Sequence, residues 1–444
     1  MQIAERELRL RFERARWLEQ AGQVLQAELL YVAIVDDAPG HLPATHRLAQ
    51  LAMNRGDFAR ATKLLRGAQQ VHPSNSEIAI DLAVVQLEAE EPDQARNTLE
   101  STLARNPKFA TGWLLLAQVR DALGDGGGAL RACFEAVTCA QRAGLWLDEN
   151  TTPPGLTDAV LSAIERVRAG QRELFFGAYQ SIRQEFGATA LGRVDRALAG
   201  YLREWDAKPA NSHQRPKFFF FPGLPEDPYH DPYLQPWARE LQSAFPLIRD
   251  EALKVSSEDS ALPSFVNLKP GDRMNNYVDG AGVEPSWEAF FFYRHGERYD
   301  ANHARCPYTS SILDSIDLCR IAEQAPEICF SVLRPGSHIK PHYGVTNTRL
   351  VMHLPLIVPG DCALNLIGEG EHHWKEAKLV MFDDTFEHEA WNRSASTRVV
   401  LLMDCWNPHL TPPERSAVKL LIETITGLQM ANRARELGIA QASA

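Results

Sequence analysis

The chain has 444 residues, 45% of them hydrophobic and 23% charged, with a formal net charge of −11. That length predicts two or three domains rather than one core, and the balance of apolar and charged residues excludes wholesale disorder. The acidic excess speaks against an extended nucleic-acid surface, because phosphate binding is driven by clustered Lys and Arg.

The N-terminal stretch MQIAERELRLRFERARW is charged throughout and lacks the apolar centre of a secretory signal. The apolar run Phe218 to Phe221 is far too short to cross a bilayer, so no membrane span is expected. Seven scattered cysteines without a CxxC pair support neither a disulfide framework nor a structural zinc site. A reducing, cytoplasmic setting is the expectation.

Pro39, Pro73 and Pro107 stand 34 residues apart, and other positions repeat in step. Ala27, Ala61, Ala95 and Ala129 share the interval, as do Leu48, Leu82 and Leu116, and Ala49, Ala83 and Ala117. Gly22, Gly56 and Gly124 do so too, with Glu90 replacing one glycine. Paired helices account for this pattern: small residues where helices approach, glycine ending one helix, proline opening or closing a repeat. The pattern, over about residues 10 to 145, resembles a tetratricopeptide repeat. A stack of such repeats either binds an extended peptide or partner helix in its groove or serves as a scaffold or dimerisation module.

Residues 155 to 205 again interleave charged and apolar residues as a helix does, and are expected to cap the stack. Lys208 to Pro216 is proline-bounded and poor in apolar residues, which marks a linker and the main domain boundary. The expected division is 1–150 for helical repeats, 151–211 for a cap and linker, and 212–444 for a third region ending in a helix.

Beyond the linker, short β-rich runs are expected at Lys217 to Phe221, Trp287 to Tyr293, Ile328 to Leu333, Arg349 to Leu356, Leu379 to Phe382 and Val399 to Asp404. Their spacing predicts an all-β double-sheet barrel or jelly roll with helical additions. After it, Thr411-Pro412-Pro413-Glu414 reads as a helix start, followed by an amphipathic helix to about Ala431.

Within this region His342 and His388 each adjoin strand-like sequence. Neutral imidazoles on two neighbouring strands can clamp one divalent metal, and the spacing suggests an iron oxygenase. Dioxygen chemistry at iron needs open coordination positions, usually with two histidines and a carboxylate two residues after the first. Gly344 occupies that place. Asp383 and Asp384 are local substitutes, but Asp-Asp beside Thr385 suits a tight turn, which is the preferred reading, with a role in orienting a histidine still open. Arg398, ten residues past His388, has the position of a carboxylate clamp for 2-oxoglutarate. Ser331 and His353 are candidate secondary contacts. Taken singly, each is more often a hydrogen-bonded core residue, and an arginine opening a strand is usually a solvated edge charge. His338, His372 and His373 read as structural or solvated, and Cys306 and Cys405 as packing positions.

The segment SVLRPGSHIKPHYGVTNTRLVMHLPL, followed by WKEAKLVMFDDTFEHEAWNRSASTRVVLLMDCWNP, resembles the aspartyl/asparaginyl β-hydroxylase family. FFFFPGLPEDPYHDPYLQPW and ARCPYTSSIL upstream agree, and the likeness spans about residues 215 to 412. It implies a double-stranded β-helix that uses Fe(II), 2-oxoglutarate and dioxygen to hydroxylate an unactivated carbon. It further implies His342 and His388 as iron ligands without a carboxylate, with Ser331, His353, Arg398 and Arg349 on the cosubstrate side. The peptide-acting animal members carry an arginine at the place of Val351, so a second clamp is lost here. The expected activity is hydroxylation of a peptide or protein side chain, the β-carbon of Asp or Asn, with the repeats helping to recruit the substrate. The alternatives are a hydroxylase of a free amino acid, small metabolite or lipid, or a non-catalytic interaction protein.

Overall fold

A computed structural model describes residues 2–258, 262–266, 273–280 and 286–436. They form two compact units, Met1–Gln171 and Arg172–Ala444. The division falls inside the helix Thr157–Ala178. The proline-bounded segment 208–216 lies within the second unit.

The first unit opens with four successive helix pairs: α1 (Gln2–Gln20) with α2 (Val24–Asp37), α3 (Leu42–Asn54) with α4 (Phe58–Val71), α5 (Ser76–Glu88) with α6 (Pro92–Arg105), and α7 (Ala110–Ala122) with α8 (Gly126–Arg142). The 34-residue spacing has a direct physical meaning. Ala27, Ala61, Ala95 and Ala129 are each the fourth residue of a pair's second helix and are fully buried where a larger side chain would push helices apart. The repeated leucines fill the space between pairs, and the repeated prolines lie in the turns that join them. Gly22, Gly56 and Gly124 end the first helix of their pairs in the left-handed conformation, at φ of +79°, +76° and +74°. Glu90, in the same register, adopts φ of 60° despite its side chain. Asp57, Asn75 and Asp125 accept hydrogen bonds from backbone N–H groups at the starts of α4, α5 and α8.

The helix α9 (Thr157–Ala178) runs across the division, and α10 (Gln180–Phe186) and α11 (Gly192–Tyr201) belong to the second unit. There they pack with the long C-terminal helix Pro412–Glu436 around Leu191, Val194, Leu198, Leu421, Ile422 and Ile425. The start of that helix is fastened by Glu414, which accepts from the Thr411 N–H and hydroxyl and pairs with Arg193.

The strands are β1 (Tyr229–His230), β2 (Val278–Gly280), β3 (Trp287–Arg294), β4 (Glu297–Arg298), β5 (Ile328–Leu333), β6 (Ser337–His342), β7 (Arg349–Ile357), β8 (Cys362–Leu366), β9 (Gly370–His373), β10 (Val380–Phe382), β11 (His388–Asn392) and β12 (Arg398–Trp406). They make a seven-stranded sheet ordered β1-β10-β7-β12-β5-β3-β4 and a five-stranded sheet ordered β2-β6-β11-β8-β9. Every pairing is antiparallel. From β5 to β12 the chain passes back and forth between the two sheets, which is the winding of a double-stranded β-helix.

Alternation along β7 decides which sheet face does what. Leu350, Met352, Leu354 and Leu356 point away from the second sheet and join Ile248, Ala252 and Leu313 of neighbouring helices in one core. Val351, on the other face, joins Ile339, Leu364, Phe382, Phe386 and Ala390 in a core between the sheets. The expected runs from Trp287 onward coincide with β3, β5, β7, β10 and β12. Lys217 to Phe221 is not a strand. It is an extended strap with one isolated bridge, Phe219 to Thr346, because its backbone N–H groups are taken by the loop after β6.

Candidate active site

His342 ends β6 and His388 begins β11, and the two are register partners across the second sheet. Their ring centroids are 4.1 Å apart. The His342 Nδ1 lies 2.8 Å from the Lys340 carbonyl oxygen, and the His388 Nδ1 2.9 Å from that of Phe386. A carbonyl can only accept, so each Nδ1 carries the proton and each Nε2 presents a lone pair. Burial lowers the pKa of both rings, and for His388 burial together with His342 brings it down to about 3. Two neutral imidazoles with oriented acceptor nitrogens are the donor chemistry of a divalent transition metal.

The loops carrying these rings are tied together from outside. Gln214 is 1% exposed, and its Nε2 donates to Asp383 Oδ2 at 2.8 Å and to Thr385 Oγ1 at 3.1 Å. The Arg215 N–H donates to the Thr385 carbonyl, while Lys217 and Phe218 donate to the carbonyls of Gly344 and Val345. The strap therefore spans the loops before His388 and after His342. Gln214 and Arg215 belong to the polar segment 208–216 that reads as a linker in the sequence, and their role is visible only once their partners are known.

The two aspartates before His388 have separate tasks. Asp383 Oδ1 accepts from the Thr385 N–H and hydroxyl and so makes the turn that the sequence suggests. Asp384 instead turns its carboxylate toward Gly344, and a Cβ built on Gly344 would lie 2.1 Å from Asp384 Cγ. A carboxylate thus fills the space into which a side chain at position 344 would project. Burial pushes the Asp384 pKa up to about 7 against the pull of Arg349, and its Oδ1 has no hydrogen-bond partner. Among the described residues no group of three or more His, Cys, Asp or Glu is arranged to hold a metal ion, so the histidine pair stands as a pair.

A cavity of about 430 Å³ lies between the sheets, lined by His342 and His388 on one side and by residues of β5, β7 and β12 on the other. One end of it holds Arg398, which is 2% exposed. Its guanidinium reaches the Ser331 carbonyl at 3.2 Å and lies 4.9 Å from the Trp374 ring centroid. Its Nε is buried without a hydrogen-bond partner, and it has no acidic partner among the described residues. Burial pushes its pKa down to about 10. His353 is close by and buried, with neither ring nitrogen hydrogen-bonded, and the Trp374 Nε1 is likewise unpaired. Ser331 Oγ accepts from Trp287 Nε1 at 3.0 Å, a contact no sequence pattern announces. So many unpaired polar atoms are costly in a dry interior and point to an anion received there.

At the other end Arg349 pairs with Asp404, beside Glu327 and Arg294. The structure therefore gathers His342, His388, Ser331, His353, Arg349 and Arg398 around one cavity, with Arg349 separated from Arg398 along the sheet. His338 is outside it, paired with Glu389, and His372 and His373 lie on the edge strand β9.

Residues 242–408 match the family model described as Aspartyl/Asparaginyl beta-hydroxylase, and residues 52–119 match the tetratricopeptide repeat model. The mouse "Aspartate beta-hydroxylase domain-containing protein 2" is 30% identical over 257 residues, covering 57% of this chain and 71% of that protein. The chain belongs to the aspartyl/asparaginyl β-hydroxylase family. Two further relatives bear names that state different activities. The "Ornithine lipid ester-linked acyl 2-hydroxylase" of Rhizobium tropici is 34% identical over 191 residues, covering 43% of this chain and 64% of that one. The human "Aspartyl/asparaginyl beta-hydroxylase" is 33% identical over 184 residues, covering 40% of this chain and 22% of that one. The chain spans 66% of the human domain-containing protein 2, just under two thirds. Among the described residues no helix is long and apolar enough to cross a membrane.

Proposed function

We propose that the protein is an Fe(II)- and 2-oxoglutarate-dependent dioxygenase that hydroxylates a carbon of a peptide or protein side chain, the β-carbon of Asp or Asn. The observation that carries this reading is one cavity holding both a register-paired histidine couple and Arg398, a buried guanidinium without an acidic partner among the described residues. The residues fit the groups: His342 and His388 would hold iron through Nε2, and Arg398, Ser331 and His353 would receive the 2-oxoglutarate carboxylates. When bound, these groups supply the oxidation, in which one atom of dioxygen enters the substrate C–H bond and the other enters 2-oxoglutarate, which leaves as succinate and carbon dioxide.

The protein's own contribution is orientation and exclusion of water. The carbonyls of Lys340 and Phe386 keep the Nδ1 protons in place, so both Nε2 atoms remain acceptors. Arg398 offers a rigid two-pronged donor to a carboxylate and is held by the Ser331 carbonyl and the Trp374 ring. Val351, Leu402, Phe265 and Val266 give the cavity an apolar wall. The repeats would present the peptide. A second reading, hydroxylation of a lipid acyl chain, is favoured by the apolar Val351 and by the 34% identity to the Rhizobium protein.

Replacing His342 or His388 by Ala is expected to abolish conversion of 2-oxoglutarate to succinate, with the circular-dichroism spectrum retained. Undiminished succinate from either purified variant would defeat the metal assignment. Arg398→Ala is expected to raise the 2-oxoglutarate concentration needed by roughly 10- to 100-fold, the loss of a charge-assisted bond. Succinate release with peptide, amino-acid and lipid pools separates the substrate readings.

A further inference from the structure

The cavity's two ends differ in charge, and the difference bears on the substrate. Arg398 and Asp404 both lie on β12, six residues apart and on the same face, so about 20 Å of strand separates them. A five-carbon diacid at Arg398 does not reach that far. The histidine pair lies against Phe382, whose register partner Val351 is in turn the partner of Asp404, so the pair sits level with the Asp404 part of this row.

The far end carries two guanidinium and three carboxyl groups. Arg349, from β7, pairs with Asp404 of β12. Asp404 Oδ2 also accepts the Glu327 N–H at 2.7 Å. Arg294, from β3, has its Nε 4.0 Å from Glu327 Oε1, without a hydrogen-bond partner for that Nε. The Glu327 carboxylate accepts the His295 N–H at 3.2 Å and its pKa is pushed up to about 7 by burial and by Asp404. Asp384 completes the set. The cations here are already met by acids, whereas the guanidinium at the Arg398 end has no acidic partner among the described residues. A carboxylate arriving at the far end would find both guanidinium groups already beside acids, and a lone cation would displace neither existing pair. A group with a nitrogen donor and an oxygen acceptor side by side satisfies both kinds of residue at once.

Resting on the reading of the cavity as a hydroxylase site, we propose that the end formed by Arg294, Glu327, Arg349 and Asp404 is a carboxamide subsite. The amide N–H₂ donates to Glu327 and Asp404 and the amide oxygen accepts from Arg349 and Arg294. Between the two side chains that the hydroxylase reading admits, the site takes the amide and disfavours the acid. Glu327 is then a specificity-determining residue.

The test uses the full chain with Fe(II) and saturating 2-oxoglutarate under anaerobic conditions, so that binding is read without turnover. Butyramide, butyrate and butylammonium, equal in chain length, are titrated while ligand-observed NMR records binding. The expected result is butyramide bound at least about tenfold more tightly than either charged probe, with the preference over butyrate reduced several-fold in Glu327→Gln. Equal or tighter binding of butyrate or butylammonium, or binding of none of the three, overturns the proposal. Displacement of 2-oxoglutarate is followed in the same samples: failure of 2-oxoglutarate itself to bind counts against the hydroxylase reading, whereas its normal binding with no amide preference counts against the subsite alone.

Discussion

The repeat unit and the two-sheet unit store information in opposite ways. In the repeats, each structural position is stated several times at a fixed interval, so architecture is redundant and a departure such as Glu90 is visible at once. In the second unit nothing recurs, and each contact is stated once: Gln214 meets Asp383, Asp384 meets Gly344, Arg349 meets Asp404. Repetition makes a fold easy to read and says little of chemistry, whereas a site is made from contacts that occur once and lie far apart in the chain.

This contrast can be broken most sharply in the core of the second unit. Leu401 is fully buried at the centre of β12 and packs with Leu354, Met352 and Phe330. Leu401→Ala is expected to cost about 2–5 kcal/mol in urea unfolding, because neighbouring strands cannot collapse onto the gap. A loss under about 1 kcal/mol would mean that this sheet is packed less closely than its burial indicates.

A smaller effect is expected at the strap. Gln214→Ala leaves Asp383 with fewer donors and should cost about 1–3 kcal/mol of stability. It should also weaken metal binding by about tenfold, since the Asp383–Phe386 turn supplies the carbonyl that orients His388. Unchanged metal affinity with reduced stability would make Gln214 a fold residue only.

The smallest effect belongs to the repeats. Glu90→Gly restores the residue type found at the equivalent positions and removes a left-handed strain worth about 1 kcal/mol. A melting temperature that rises slightly is expected. A fall would show that the Glu90 side chain contributes more than its backbone costs.

How much was legible follows from the same difference. The 34-residue period yields the first unit almost completely. The seven-stranded sheet is legible because one face of β7 and β12 packs on helices and the other lines a largely apolar core, which leaves long apolar runs in the sequence. The five-stranded sheet left no such trace. SHIKPH, GEHH and HEAWN carry few apolar residues, since β6, β9 and β11 present polar side chains to solvent or to the cavity, and none is among the expected β-rich runs. That sheet bears both histidines. They are legible from residue type, from the strand-like sequence that each adjoins, and from the family motif. Glu327 and Arg294 sit at strand ends where charge is ordinary, and only the fold reveals that they share a cavity with Arg349 and Asp404. The segment 208–216 misled for a related reason: its backbone and side-chain polar groups are satisfied by distant loops, which composition cannot express.

One close approach constrains how this protein can change. Because the Asp384 carboxylate lies where a side chain on residue 344 would begin, the two positions form a single slot that accepts one acid at a time. An acid cannot be added at 344 while Asp384 remains, nor does deleting Asp384 recreate it there. Moving the charge from one strand's end to the other takes two coordinated substitutions, and a lineage that has settled on one arrangement is separated from the other by an intermediate with either a collision or a hole.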